Sequence, residues 1–336
     1  MLRKRARGGV SSQLVYGRPV LASFFSSSSS SSSSSFSSSS FSSSFSSSST
    51  PRNEADEARR TFFAQLGFGN VVAARLQAEK EAIKHGLGPS GPGYVILPRF
   101  LSPPSPPPSS LPDRRLCRDM RQEASGLFQA GVFYPSFAYR GDERLEKKNV
   151  WNFELDGHEW DYAPSLLMYT REILLHLPPL LNSLSLPLPV PPSRPPSLLR
   201  LSPRGYANKI AVSTGGGSHF LRHTDNNNGD SRKVTLVYYL NSEWPSGNGG
   251  QLRLYPRSGG YGQEEGSKNT SRGEGTEADG GEEGYVDVWP EGDTLVMFLS
   301  EELEHEVLPN WNEEEKDHRW TYTLWLVEEG GCEGES

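Results

Sequence analysis

His223 and Asp225 stand two residues apart at the end of an extended run, and His305 lies in a later one. Side chains at i and i+2 of a strand share a face, so this imidazole and this carboxylate can reach one ion. Two histidines and one carboxylate on one side of a metal leave the opposite positions open, an arrangement suited to non-haem Fe(II) working with oxygen and a co-substrate. An HxD pair alone also has a plain reading, a strand end facing solvent. Arg319 adds weight, because it opens the last strand with Thr321 and Thr323 on its own face. A guanidinium there can take a dicarboxylate through a bidentate, charge-assisted pair; its plain reading is an exposed edge arginine. Lys316 is the alternative cation, but it lies in the turn 310–317. Among the other histidines, His219 falls ~13 Å along the strand from His223, and His318 should face away from the side Arg319 takes. Neither is assigned to the metal.

These side chains need strands to position them. Eight short β-rich runs recur at 207–213, 219–223, 232–240, 250–255, 285–289, 293–299, 303–308 and 318–327, which is the strand count of a double-sheet jelly roll. Turn-forming clusters separate most of them, as in sandwiches and barrels. Trp320, Tyr322, Trp325, Tyr238 and Tyr239 read as an aromatic inner surface, part of it plain core. Residues 257–284 are Gly, Glu and Ser with almost no apolar side chain, and read as a long disordered loop inserted between strands. Upstream, 53–85, a run from Asp113 to about Ala130, and 161–183 read as helices. Residues 93–101 read as a short strand, and proline-rich stretches cover 102–112 and 185–203. Residues 132–160 are mixed and hold Arg140–Gly141–Asp142.

Composition bounds the rest. The chain has 336 residues, a net charge of −7 and 34% hydrophobic content, and its apolar residues concentrate between Tyr206 and Val327. Residues 26–50 are almost all serine and cannot offset their ordering entropy by burial. Residues 1–53 carry six Arg and Lys and no acid, which suits either an organellar transit peptide or a low-complexity tail with no address. The expected compartment is the cytoplasm or nucleus, or the mitochondrion or plastid if the leader is an address. No sustained basic stripe marks a nucleic-acid partner, and no apolar run approaches the ~18 residues of a membrane span. Two cysteines, Cys117 and Cys332, give neither a disulfide framework nor zinc spacing. The expected organisation is a basic, Ser-rich disordered leader over 1–52, a helical support region with Pro-rich linkers over 53–204, and a jelly roll over 205–329.

The stretch 220–255 (FLRHTDNNNGDSRKVTLVYYLNSEWPSGNGGQLRLY), with 286–309 (VDVWPEGDTLVMFLSEELEHEVLP) and 318–329 (HRWTYTLWLVEE), resembles the 2-oxoglutarate oxygenases of the prolyl 4-hydroxylase superfamily. It looks most like the oxygen-sensing, egl-nine-like prolyl hydroxylases. The HxD, YYLN, GGxLRLYP, DxLVxFxS, HEVxP and RxxxTxW motifs, in that order, are jointly specific, and they cover about the last third of the chain. The resemblance implies a mainly β fold, a double-stranded β-helix (jelly roll, cupin-like) with flanking N-terminal helices. It implies Fe(2+) on His223, Asp225 and His305, and 2-oxoglutarate held by Arg319 with Tyr239 in support and Thr323 nearby. Arg140 and Asp142 match a short RGD near the substrate entrance of the oxygen-sensing members. Implied partners are O2, 2-oxoglutarate, L-ascorbate as reductant, and a proline-containing protein or peptide; no nucleic acid or membrane is expected. Where the family often carries a tyrosine ~10 residues before the first ligand, this chain has Ser213, which bears on co-substrate affinity. The alternatives are the same chemistry on another substrate, a cupin-like binding module without catalysis, or a metal-dependent hydrolase. Intact triad and arginine residues weigh against the second.

Overall fold

The computed structural model describes residues 68–102, 114–140, 143–188, 197–226, 229–257, 270–272 and 284–330. The leader, the serine tract, Asp113, Gly141 and Asp142 lie outside the described residues. Two helices come first, α1 (Phe68–Ala78) and α2 (Lys80–Leu87), then strand β1 (Tyr94–Leu97), helix α3 (Arg115–Gln129), β2 (Tyr134–Arg140) and β3 (Glu143–Phe153). Helix α4 (Pro164–Ser183) precedes a small ribbon of β4 (Pro187–Leu188) and β5 (Ser197–Leu198). The remaining strands are β6 (Leu201–Ser213), β7 (Ser218–His223), β8 (Arg232–Tyr239), β9 (Leu252–Tyr255), β10 (Thr270–Arg272), β11 (Val286–Val288), β12 (Leu295–Leu299), β13 (Glu304–Asn310) and β14 (Arg319–Glu328). No described helix is long and apolar enough to cross a membrane.

The strands form a seven-stranded sheet, β1-β12-β8-β14-β6-β3-β2, and a five-stranded sheet, β10-β11-β9-β13-β7. All eight runs expected from the pattern are strands of these two sheets. Tyr239, Leu252, Leu254, Val296, Phe298 and Val307 pack together between them. The other face of the large sheet is buried under the helices, chiefly α4 with Leu166, Tyr169 and Ile173. With both faces covered, β14 is buried from Arg319 to Val327, although polar Arg319, Thr321 and Thr323 alternate with apolar residues along its first half.

This layering divides the five aromatics between inner surface and plain core. Tyr238, Trp320 and Tyr322 point to the helices: Tyr169 packs against Tyr238 in a tilted pair with ring centroids 4.9 Å apart, and Phe128 meets the Trp320 ring edge-on at 5.7 Å. Tyr239 and Trp325 face the barrel interior. Strict alternation along β8 and β14 sends neighbouring aromatics to opposite sides.

The region read as helical support also supplies β1, β2 and β3 to the large sheet. β6 begins at Leu201, inside the segment read as proline-rich, and tolerates Pro203 near its start. Within the insertion read as a disordered loop, Thr270–Arg272 pairs with Val286–Val288 as the outer strand of the small sheet. The helix expected to start at an Asp113 cap begins after Arg114, which makes no side-chain cap hydrogen bond.

Candidate metal and co-substrate site

His223 ends β7 and His305 lies near the start of β13, and the antiparallel register sets these two residues directly opposite each other. Their rings lie 4.5 Å apart, centroid to centroid. Asp225 follows β7 by two residues. Its Oδ1 is 3.6 Å from His223 Nε2 and 3.8 Å from His305 Nε2. One potential ligand atom from each residue lies within 4.8 Å of the other two, the only such group of three or more metal-ligating side chains among the described residues.

The surroundings leave these three atoms available. His223 Nδ1 is 2.7 Å from the Leu221 carbonyl and His305 Nδ1 is 3.0 Å from that of Leu303. A carbonyl can only accept, so each Nδ1 carries the proton and each Nε2 presents a lone pair. Asp225 Oδ2 accepts from the Thr235 hydroxyl at 2.8 Å and from the Trp325 indole N–H at 3.0 Å, which leaves Oδ1 for an ion. Burial raises the Asp225 pKa, but when the rings are protonated the bond from His223, the two imidazolium charges and the Thr235 hydroxyl outweigh it and hold the carboxyl well below its usual range, the role a bound cation would take over from neutral rings. Burial lowers the His305 pKa more than Asp225 raises it, so its ring favours the neutral form that binds metal. A borderline nitrogen-and-carboxylate donor set with an open side fits Fe(II).

Arg319 lines the same cavity and is only 4% exposed. Its Nε donates to the Gly250 carbonyl at 2.7 Å, and Nη2 reaches the Tyr239 hydroxyl at 3.5 Å. Gly249 and Gly250 have φ of +71° and +73°, and a Cβ on Gly249 would sit 2.0 Å from the Pro309 carbonyl oxygen. Only glycine holds that carbonyl against the guanidinium without strain. Two of the five Arg319 N–H groups are thus used, and no carboxylate pairs with it among the described residues. A buried guanidinium without a counter-charge is costly, and a bound dicarboxylate would relieve it. Burial lowers the Arg319 pKa, with Tyr239 acting the other way. Thr321 and Thr323 line the cavity beside it, as the shared-face reading expected.

Lys316 is fully exposed and paired with Glu314, away from the cavity. His219 and His318 contact backbone carbonyls of Gly217 and Glu313 rather than the cluster. Ser213 is buried and pairs in register with Arg319. Arg140 ends β2, and its side chain and Asp142 lie outside what is described. The sequence reading missed Thr235, Lys147 and Lys209, which contact or line this site, and placed Trp325 on the inner surface without its bond to Asp225. Alternation in 232–240 was the available signal for Thr235, which shares a face with Tyr239.

Residues 209–327 match the sequence model of the 2OG-Fe(II) oxygenase superfamily. Over 121 residues, 35% of this chain, it is 31% identical to Egl nine homolog 1 of Rattus norvegicus and to Prolyl hydroxylase EGLN3 of Mus musculus. The matched segment spans 28% of the rat protein and 39% of the mouse protein, so the likeness concerns a part of each. A prolyl hydroxylase of Trichoplax adhaerens, solved with a hypoxia inducible factor oxygen degradation domain peptide, superposes with a TM-score of 0.52 at 23% identity. It covers 77% of this chain and 96% of its own, and speaks for the shared fold. Over residues 209–327 the chain is similar to the 2OG-Fe(II) oxygenase superfamily, and within it to the egl nine prolyl hydroxylases.

Proposed function

We propose that this protein is an Fe(II)- and 2-oxoglutarate-dependent dioxygenase that hydroxylates prolyl residues of a protein or peptide. The reading rests above all on one juxtaposition: three free metal-ligating atoms and an unpaired, buried guanidinium in one cavity. His223, Asp225 and His305 would hold iron on one side and leave the other side open. Together, iron and 2-oxoglutarate supply the oxidising chemistry, in which O2 is consumed, 2-oxoglutarate yields succinate and CO2, and one oxygen atom goes to the substrate carbon.

The chain's own contribution is orientation and exclusion. Arg319 and Tyr239 would hold the distal carboxylate of 2-oxoglutarate and so set its orientation in the cavity. Thr235 and Trp325 keep Asp225 from turning its second oxygen to the ion. Phe220, Val237, Leu252 and Val307 give the cavity apolar walls that limit water near the reacting atoms. L-ascorbate is the reductant that would restore iron oxidised when turnover occurs without substrate. Arg140 and Asp142 are assigned to the substrate entrance on the family likeness.

Purified protein with Fe(II), ascorbate and 2-oxoglutarate should release succinate, and proline-containing peptides should gain one oxygen by mass spectrometry. His223→Ala, Asp225→Ala and His305→Ala should each abolish both signals. Full activity in any one of these variants would sink the assignment, and succinate release with oxygen placed on another residue would redirect the substrate.

A further inference from the structure

Two lysines of the cavity have no task in the chemistry described so far. Lys147 comes from β3 and Lys209 from β6, and both line the cavity that holds His223, Asp225 and His305. The Lys147 ammonium lies over the Phe220 ring, 4.1 Å from its centroid, and that of Lys209 lies 5.0 Å from the Trp325 ring centroid. Trp325 is the residue whose indole N–H binds Asp225, so Lys209 stands beside the metal end of the cavity. Neither ammonium makes a hydrogen bond or an ion pair among the described residues. Asp225 and Glu154 act on Lys209 only at a distance. Burial, and then the neighbouring Lys209, pull Lys147 down to about 7. Aromatic faces recover only part of what a half-buried ammonium loses on leaving water.

Their position separates them from the co-substrate arginine. Lys209 pairs in register with Thr323, and Arg319 pairs with Ser213, so the two cations stand four residues apart along adjoining strands. That is about 13 Å at the rise of a strand. A carboxylate gripped by Arg319 cannot also be the counter-ion of Lys209. With Lys147, Lys209 and Arg319 facing one carboxylate, Asp225, the cavity wall has a surplus of positive charge.

We propose that Lys147 and Lys209 form an anion-binding wall for the substrate, which therefore carries a carboxylate next to the carbon that is hydroxylated. The proposal rests on the oxygenase reading above and names the class of substrate it would take. The carboxylate is either an Asp or Glu side chain adjoining the target proline, or the α-carboxylate of a terminal or free proline. The same wall repels cationic targets, so lysyl side chains are selected against.

The test is binding of labelled proline peptides by fluorescence anisotropy, to full-length protein with Mn(II) and 2-oxoglutarate. The peptides differ only in carrying Glu, Gln or Lys beside the proline, and unlabelled free L-proline serves as competitor. The Glu peptide should bind about tenfold more tightly than the Gln peptide, the size of one charge-assisted hydrogen bond, and the Lys peptide most weakly. Displacement by free proline, with no grading among the peptides, would instead assign the α-carboxylate as the anion. Lys209→Gln and Lys147→Gln should each shrink the grading, Lys209→Arg should keep it, and Lys209→Glu should reverse it. Ungraded binding with no displacement by proline overturns the proposal. So does a grading that survives both Gln variants, or a Lys209→Gln defect confined to 2-oxoglutarate affinity. Succinate release on the same peptides keeps the two readings apart. Graded binding without any succinate would sink the oxygenase and spare the wall; succinate with binding neither graded among the peptides nor displaced by proline would do the reverse.

Discussion

A carboxylate that offers one oxygen to an ion needs its other oxygen held, or rotation about its terminal bond blurs the site. In Asp225 the Thr235 hydroxyl and the Trp325 indole do this. Thr235→Val keeps the shape and removes the donor, so iron affinity should fall about 10- to 100-fold, the usual effect of losing a partner of a metal ligand; chelator competition measures it. Arg319→Ala should raise the 2-oxoglutarate concentration needed for half-maximal turnover at least about tenfold, since a charge-assisted pair is lost. Lys316→Ala should leave that concentration unchanged, because Lys316 is exposed and occupied with Glu314; the opposite pattern in succinate kinetics would show that the arginine was misassigned. His223, Asp225, His305 and Arg319 were legible as candidates because they fall in order within a set of jointly specific motifs, although each alone has a plain reading. Thr235 was not singled out, since a threonine among Val, Leu and Tyr looks like any strand former. Lys147 was hidden because nothing in the polar run 143–153 announces that it joins the large sheet.

At the level of elements, one buried aspartate ties the N-terminal region to the barrel. Asp293, just before β12, accepts hydrogen bonds from the backbone N–H groups of Leu101 and Ser102 at 2.7 and 3.0 Å, from the Ser102 hydroxyl at 2.5 Å and from the Tyr238 hydroxyl at 2.8 Å. Asp293→Ala should destabilise the fold by about 3 kcal/mol or more, because several buried donors lose their acceptor at once. Tyr238→Phe should cost only about 1 kcal/mol, a single hydrogen bond; urea titration of both variants checks the ratio. The eight strands of the C-terminal part were readable from apolar runs between turn residues. β2 and β3 were not, since an edge hairpin rich in charge has no apolar pattern to read. The start of β6 was obscured by Pro203, which a strand accepts near its first residues.

Across the whole molecule, the two sheets divide the labour. The large sheet is clamped under the helices and carries Arg319, Tyr239 and Lys209, and the small sheet carries both histidines. The insertion enters at the far edge of the small sheet, where β10 is the strand most distant in order from β7 and His223. Replacing 259–283, which includes this outer strand, by a short Gly-Ser linker should therefore leave succinate release within about twofold of the full chain, since the change falls at the sheet edge opposite the strand of His223. A larger loss in that assay would mean that the insertion reaches the site. The jelly roll was visible in outline from strand count alone, whereas the division between layers depended on which neighbours cover each face, and no local pattern carries that.

The indole that steadies Asp225 gives the protein an optical gauge of its own loading. Of seven tryptophans, Trp325 is the one hydrogen-bonded to a candidate metal ligand. A paramagnetic ion arriving beside that carboxylate should quench part of the intrinsic emission, and Trp325→Phe should silence the response. Titration with Co(II) in a fluorimeter would then follow occupancy directly, with no substrate and no turnover required.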